Sequence, residues 1–315
     1  MTMANYSGGF TDGIIIRGIP LSVSHPGKIY WVSNASTALL PGHKAGHDAG
    51  PGTFDEPFAT LDYAIGQCLA SRGDIIFVKP GHIEDLTGAA SITSDVAGVA
   101  VIGLGTGSLR PRFDWEAAAA TWSVTAANLS FYNLDFVASF IDVVTMFDVT
   151  GTADGLSFVK CLFRDEDSNL NAIDFITLAT GADTFSMHDC KMIAQDAQHD
   201  SFITGVAHDG FVITDSYFAS NVAQAAVVGL IETSGNVTNA TIRDNYFRSN
   251  VDGALFLDFN GTANSGVVAN CYFSSIDTAG AVTAGFDLTG MHAFELYVAG
   301  EADAWGLVGG GTIYS

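Results

Sequence analysis

Three aspartates, Asp189, Asp215 and Asp244, recur along the second half of the chain at intervals of 26 and 29 residues. If a repeating fold stacks them on neighbouring strands, their carboxylates lie about 5 Å apart. Carboxylates grouped in this way hold Ca²⁺ or serve as acid and base in glycoside hydrolysis. Asn133 and Asn270 fit the same pattern, so a polar ladder at a corner is the simpler interpretation. We therefore predict no catalytic residue, cofactor or metal ligand, and keep the three aspartates as the site only if the protein is an enzyme.

These aspartates belong to a repeat of 26 to 29 residues, which decides the architecture. The clearest unit is Leu156 to Phe163, and five segments align with it without gaps: Leu129 to Phe136, Phe185 to Met192, Phe211 to Phe218, Ala240 to Phe247 and Gly266 to Phe273. The first apolar column holds Phe131, Phe158, Met187, Ile213, Ile242 and Val268. The second column holds Leu134, Cys161, Cys190, Ser216, Asn245 and Cys271. The third column holds Phe136, Phe163, Met192, Phe218, Phe247 and Phe273.

Within one unit, apolar residues alternate and then skip three places, as from Phe158 to Cys161. Alternation turns one face of a strand inward, and the skip requires a bend if both halves face one core. The bend positions are Asn133, Lys160, Asp189, Asp215, Asp244 and Asn270. Most are Asn or Asp, which tolerate the left-handed backbone of a corner.

Each unit also carries a second apolar run, so about three short strands make one coil of a solenoid. The sequence therefore predicts an all-β fold, a single-stranded right-handed parallel β-helix. A propeller blade needs a longer unit, and the helical stretches that a βαβ fold requires are missing after residue 75.

The two ends of the chain differ from the repeat. Apolar residues at helical spacing from Phe58 to Leu69 predict a capping α-helix at about 56–71, which would cover the open end of the first coil. Residues 1–50 are Gly-rich and are predicted to form an extended N-terminal arm. We assign residues 51–300 to the β-helix and residues 301–315 to a C-terminal tail.

The charge of the chain restricts its partners. It has 12 basic and 34 acidic residues, a formal net charge of −22, and no cluster of Lys or Arg. These features argue against nucleic acid and against anionic membrane surfaces as partners. We see no secretory signal at the N-terminus and no apolar run long enough to span a bilayer. The four cysteines include no CxxC pair, so we expect synthesis in a reducing host cytoplasm.

The stretch GTFDEPFATLDYAI at 52–65, followed by GDIIFVKPG at 73–81, resembles the entry of pectate-lyase-like β-helix proteins. In that superfamily a similar helix leads into the first strand of the solenoid. The resemblance implies the fold and is unspecific for activity. The catalytic Arg motif of those enzymes has no convincing counterpart, because Arg243 adjoins Asp244 in sequence but is expected to point outward.

Three further segments, 6–20, 96–103 and 107–111, look like parts of a tailed-bacteriophage virion protein. This resemblance implies a structural role, and we predict a homotrimeric decoration or cement protein on the capsid surface. Its partners would be the major capsid protein or other virion proteins. One alternative is a tailspike-like polysaccharide depolymerase, either a lyase or a glycosidase, although the four tryptophans are scattered along the chain. Another is a non-catalytic receptor-binding fibre.

Overall fold

The computed structural model describes residues 14–16, 19–21, 27–34, 44–195, 199–220, 229–249, 255–275, 285–300 and 303–308. Over these residues the chain is a parallel β-solenoid. Each coil contributes one strand to each of three faces, and each strand pairs in parallel with the strand one coil away. We name the faces sheet A, sheet B and sheet C in the order in which each coil reaches them. The all-β solenoid predicted from the repeat is thereby confirmed.

Strands are numbered along the chain. Sheet A contains β3 (Ile29–Val32), β4 (Ile75–Val78), β7 (Ala100–Gly103), β10 (Ser130–Tyr132), β13 (Ser157–Val159), β16 (Ser186–His188), β20 (Val212–Thr214) and β24 (Ala240–Arg243). Sheet B contains β5 (Ile83–Leu86), β8 (Arg112–Trp115), β11 (Asp135–Ala138), β14 (Leu162–Asp165), β17 (Lys191–Ala194), β21 (Tyr217–Ser220) and β25 (Tyr246–Ser249). Sheet C contains β6 (Ile92–Ser94), β9 (Trp122–Val124), β12 (Val143–Val149), β15 (Ala172–Leu178), β18 (Ser201–Gly205), β22 (Gly229–Thr233), β26 (Leu255–Phe259) and β28 (Gly285–Asp287).

The remaining elements lie at corners and ends. Strands β27 (Gly266–Ser275) and β29 (His292–Gly300) run through the corner between sheets A and B without a break, and β30 (Asp303–Val308) pairs antiparallel with β29. Strands β1 (Ile14–Ile16) and β2 (Ile19–Leu21) form an antiparallel pair, and β19 (His208–Asp209) pairs in parallel with β23 (Val237–Thr238). The helices are α1 (Leu61–Gly66) and a short 3₁₀ turn at Gly107–Leu109. No helix in the described ranges is both long and apolar enough to cross a membrane.

The corner between sheets A and B is made by one residue per coil with a left-handed backbone. Their φ angles lie between 49° and 60° at Asn133, Lys160, Asp189, Asp215, Asp244, Asn270 and Glu295. A residue in this conformation turns the chain and resets the alternation, so the strands on both sides face the same core. The predicted bend positions are confirmed, and Glu295 adds one more.

The core is a set of columns that run through the coils. Phe131, Phe158 and Met187 are in register in sheet A. The third predicted column lies in sheet B, with ring centroids 4.8 Å apart for Phe136 and Phe163. The other ring pairs of this column are Phe218 with Phe247 at 4.8 Å and Phe247 with Phe273 at 4.9 Å. All these side chains are buried, and each aromatic pair contributes about 1 kcal/mol beyond its buried area.

The N-terminal end differs from the prediction in two respects. Helix α1 covers only Leu61–Gly66, because Phe58 makes a β-bridge to Val32 and Thr60 caps the helix from an extended conformation. Pairing of Phe58 with the distant Val32 therefore outweighs the helical spacing of the apolar residues, and the residues before Thr60 are not helical. In addition, β3 already belongs to the solenoid although it falls inside the predicted arm of 1–50. Most of that arm and the end of the C-terminal tail lie outside the described residues.

Candidate functional site

The structure places the three predicted aspartates in one column at the corner between sheets A and B. Each donates its backbone N–H to the next coil, and Asp189 bonds the carbonyl of Thr214 at 3.2 Å. Each carboxylate also has its own nitrogen partner: Lys160 for Asp189, the His188 ring for Asp215 at 3.3 Å, and Arg243 for Asp244 at 3.5 Å. The Arg243 side chain is 56% exposed and points outward. The column is therefore a ladder of solvated pairs on an open corner.

A second group of polar side chains lies on the outer face of sheet C. The strands there carry two consecutive buried residues, such as Phe175 and Ile176, where strict alternation allows one. Because two consecutive residues are buried, the residues on either side of them, three positions apart in the same strand, both point outward. Thr145 is in register with Asp174, yet its hydroxyl oxygen lies 3.0 Å from that of Thr177. The outer face of sheet C thus has two polar rows side by side.

Carboxylates and hydroxyls fill these two rows, and Asp200 lies next to them, directly before Ser201. We call this surface the sheet C groove; its residues are Thr145, Asp174, Thr177, Asp200, Ser201, Thr204, Glu232 and Asp258. Ser201 is in register with Asp174 and donates its backbone N–H to that carboxylate. The Ser201 hydroxyl bonds Glu232 on the following coil. Asp174 Oδ1 is buried and accepts no hydrogen bond from any described residue.

Burial and mutual repulsion perturb these carboxylates. Burial, followed by the charge of Asp200, raises the pKa of Asp174 to about 7. The pKa of Glu232 is raised by burial and by the charges of Asp200 and Asp258. Burial also raises the pKa of Asp200. Near neutral pH Asp174 therefore holds its proton for much of the time and is able to donate it.

The groove holds acids and hydroxyls without cations. None of the sheet C strands, within their described bounds, contains a Lys or Arg. Over the described residues, no three His, Cys, Asp or Glu side chains come close enough to hold a metal ion. The Thr204 hydroxyl donates to that of Thr177 at 3.3 Å, which continues the row of hydroxyls. These groups suit hydrogen bonding to an uncharged polyhydroxyl ligand.

Sequence reasoning missed this groove because it aligned only the segments of sheets A and B. The signal was present in the second apolar runs, where Asp174, Glu232 and Asp258 interrupt hydrophobic strands. Glu232 is in register with Asp258, and Thr204 is in register with Glu232. An alignment of the sheet C strands would have placed these polar residues on adjacent coils.

Comparisons with known proteins agree with this architecture. No family model matches the chain, and no curated protein is significantly similar to it. Among solved structures, the chain is similar to a pectin methylesterase variant in complex with a hexasaccharide, with 13% identity, a TM-score of 0.50, and coverage of 87% of this chain and 90% of that one. This similarity shows a shared fold, a parallel β-solenoid.

A rhamnogalacturonan lyase is also similar, with 12% identity, a TM-score of 0.45, and coverage of 86% of this chain and 87% of that one. The similarity to the methylesterase, at 13% identity, shows a shared fold and leaves the activity to be argued from the site. The parallel β-solenoid expected from the sequence agrees with this similarity. The right-handed winding, membership of the pectate-lyase-like superfamily and the link to phage virions stay predictions.

Proposed function

We propose that the protein binds a polysaccharide along the sheet C groove and hydrolyses it, as a tailspike-like depolymerase. The observation that carries this proposal is that Ser201 bonds both carboxyl groups, Asp174 through its N–H and Glu232 through its hydroxyl, while burial raises the pKa of Asp174 to about 7. Two carboxyl groups whose environments differ are the usual acid and base of glycoside hydrolysis. Asp174 would protonate the leaving oxygen, and Glu232 would activate a water.

Asp174 and Glu232 lie on strands two coils apart, which at a strand spacing of about 4.8 Å suits an inverting better than a retaining reaction. Ser201 stands between Asp174 and Glu232 and bonds both, through its N–H and its hydroxyl. Inverting enzymes keep the two groups about 6.5–9.5 Å apart to admit a water, and retaining enzymes keep them about 5 Å apart. A lyase of the pectate type uses an Arg or Lys base, and the described strands of sheet C provide neither.

The test is the release of reducing ends from a panel of uncharged and charged bacterial surface polysaccharides. We expect Asp174→Asn and Glu232→Gln each to lower kcat by a factor of about 10² or more, because each removes a proton transfer. Asp189→Asn is the matched control, since its carboxylate lies on the corner ladder outside the groove. Unchanged cleavage in Asp174→Asn, or no cleavage of any polysaccharide by the unaltered protein, contradicts the proposal.

A second candidate is the predicted non-enzymatic role, a homotrimeric decoration or cement protein on the capsid surface. The charge-paired corner ladder and the continuous buried columns favour it, because they describe a closely packed rod with a solvated exterior. Such a rod, bound to the major capsid protein or to other virion proteins, would resist expansion of a shell. Hundreds of copies per purified virion support this role, and a few copies support the tailspike-like role.

The second role also predicts how the protein attaches. Removing residues 1–28 should abolish binding to capsids while the solenoid stays folded, because the predicted arm would make the contact. Capsid binding is measured by co-sedimentation, and circular dichroism checks the fold. Undiminished binding by the shortened chain contradicts attachment through the arm.

A further inference from the structure

Three exposed apolar side chains lie close together where the chain enters sheet C. Phe140 is 39% exposed, Ile141 is 54% exposed and Val144 is 57% exposed. Phe140 and Ile141 belong to the turn after β11, and Val144 is the second residue of β12. Exposed apolar residues are normally scattered over a protein surface, and a contiguous group of them indicates a binding surface.

This apolar group is continuous with the sheet C groove. Val144 lies opposite Ile173, one position before Thr145 and Asp174 of the groove, which are in register. Ile173 is half-buried, and its carbonyl accepts the backbone N–H of Asp200 on the following coil. Val144 and Ile173 therefore form a short row beside the polar row of the groove. We call four residues the apolar rim: Phe140, Ile141, Val144 and Ile173.

Hydrogen bonds fix the turn of the apolar rim against the strand that carries Asp174. The Phe140 carbonyl accepts the backbone N–H of Asn171 at 3.0 Å, and the Asp142 N–H donates to Asn171 Oδ1 at 3.2 Å. Asn171 is buried and precedes Asp174 by three residues. A surface that is held in place before binding loses little conformational entropy when a ligand covers it.

The surroundings of the apolar rim restrict the ligand that fits it. A stable protein interface buries about 800 Å² on each partner, far more than four partly exposed side chains provide. The adjoining groove carries Asp174, Asp200 and Glu232, and its described strands contain no Lys or Arg, so the groove repels an anionic sugar. A ligand that suits both surfaces is uncharged, rich in hydroxyls and substituted with a small apolar group.

We propose that the apolar rim selects a methyl-bearing sugar unit within an uncharged polysaccharide that lies along the groove. This inference rests on the proposed function of the groove and specifies its substrate class. The methyl group belongs either to an acetyl substituent or to a deoxyhexose, and both place a small apolar group beside hydroxyls. Burial of one such group against apolar side chains gives a preference of about tenfold or more over a sugar that lacks it.

The experiment compares pairs of uncharged sugars that differ at one substituent. Chitohexaose and cellohexaose share the same linked pyranose backbone, and only chitohexaose carries acetamido groups in place of hydroxyls. L-Fucose and L-galactose differ only in a methyl or hydroxymethyl group, so the two pairs distinguish the acetyl source from the deoxyhexose source. Isothermal titration calorimetry of the full chain measures the affinity for the hexasaccharides, and saturation-transfer NMR compares the monosaccharides.

We expect the methyl-bearing member of at least one pair to bind at least about tenfold more tightly, with its methyl protons receiving the most saturation. Ile141→Ser combined with Val144→Thr should remove this preference, because the two substitutions replace apolar surface with hydroxyls. Leu69→Ser is the matched control and should keep the preference, since Leu69 is 59% exposed and follows helix α1, outside the groove. Circular dichroism checks that both variants fold.

Binding and cleavage are measured separately, so this inference and the proposed catalysis fail in different ways. A preference for the methyl-bearing sugar without hydrolysis of any polysaccharide supports the role of the apolar rim and contradicts only the catalytic step. Equal binding of both members of each pair, or binding of neither, overturns the inference. If the double variant keeps the preference and sediments as a smaller species than the unaltered protein, the rim is a protein contact and the inference is overturned.

Discussion

The backbone N–H of Ser201 donates to the carboxylate of Asp174 on the preceding coil of sheet C. This bond favours the charged carboxylate, yet burial and the charge of Asp200 outweigh it and raise the pKa of Asp174 to about 7. The folded protein therefore holds a proton that an unfolded chain releases near pH 4. Folding and protonation are coupled at this position.

We predict that this coupling is visible as a pH-dependent difference between the protein and Asp174→Asn. Because the folded pKa is raised, the contribution of Asp174 to stability is fully present below about pH 4 and is lost as pH rises through about 7. Between pH 4 and 8 the variant should therefore gain about 2 kcal/mol relative to the unaltered protein, after allowance for partial exposure of the carboxylate. Urea unfolding at both pH values measures this difference.

Asp148→Asn is a suitable control, because Asp148 is exposed on the same face of sheet C and lies two coils from Ser201. Its unfolding free energy should run parallel to that of the unaltered protein across the range. If the unfolding free energy of Asp174→Asn also runs parallel to that of the unaltered protein, Asp174 releases its proton at the same pH in the folded and unfolded chains, and the prediction is wrong.

His199 has the opposite coupling. It is 1% exposed, its Nδ1 lies 3.1 Å from the carbonyl oxygen of Ala172, and it packs between Phe175 and Phe202. Burial lowers its pKa to about 4. A depressed pKa contributes stability that is fully present above about pH 6.5 and is lost as pH falls through about 4.

We therefore predict that His199→Phe flattens the acid limb of the stability curve. Between pH 7 and 4.5 the unaltered protein should lose about 2 kcal/mol more than the variant, because only the protein with His199 must keep a buried imidazole neutral. At pH 7 the variant should be less stable by about 1 kcal/mol, since it loses the bond to Ala172. Guanidinium unfolding followed by tryptophan fluorescence measures both quantities. Equal acid sensitivity of the two proteins would falsify this account.

Phe163 tests the aromatic columns. Its ring centroid lies 4.8 Å from that of Phe136 in sheet B, 5.2 Å from that of Phe158 in sheet A and 6.4 Å from that of Phe175 in sheet C. Phe163 therefore contacts core residues from all three sheets. Phe163→Ala should cost about 4 kcal/mol through lost burial and an unfilled cavity, and Phe163→Leu about 1–2 kcal/mol. Urea unfolding gives both values. A cost below about 1 kcal/mol for the alanine variant would mean that the column is loosely packed.

The fold could be predicted from the sequence because its constraints recur at a nearly constant interval. The columns of Phe136 and Phe158 must face the core in every coil, so their apolar character repeats. The corner requires a left-handed residue once per coil, and Asn or Asp occupies most of these positions because both tolerate that backbone conformation. The register of sheets A and B followed from these two periodicities.

The sheet C groove could not be found in the same way. Strands of sheet C vary from three residues in β6 to seven in β12, so their spacing from the corner is irregular. The paired buried residues of β15 also reverse the outward side within one strand, which no alternation rule predicts.

Two substitutions at Asp215, in the corner ladder, distinguish a requirement for the left-handed backbone from a requirement for the negative charge. Asp215 has a φ of 54°, donates its N–H to the carbonyl of Arg243, and pairs with His188 on an exposed surface. Asp215→Asn keeps a residue that tolerates this backbone and should change stability by less than about 0.5 kcal/mol, because solvated pairs contribute little. Asp215→Val places a β-branched residue in the left-handed region and should cost about 1–2 kcal/mol.

Thermal unfolding of the two variants decides which property the position requires. A loss in the asparagine variant as large as in the valine variant would show that the carboxylate itself is needed, as a cation site made by the three aspartates would require. Intact stability in Asp215→Asn with a clear loss in Asp215→Val assigns the position to the turn. We expect the second outcome, because each carboxylate of the ladder already has a partner in Lys160, His188 or Arg243.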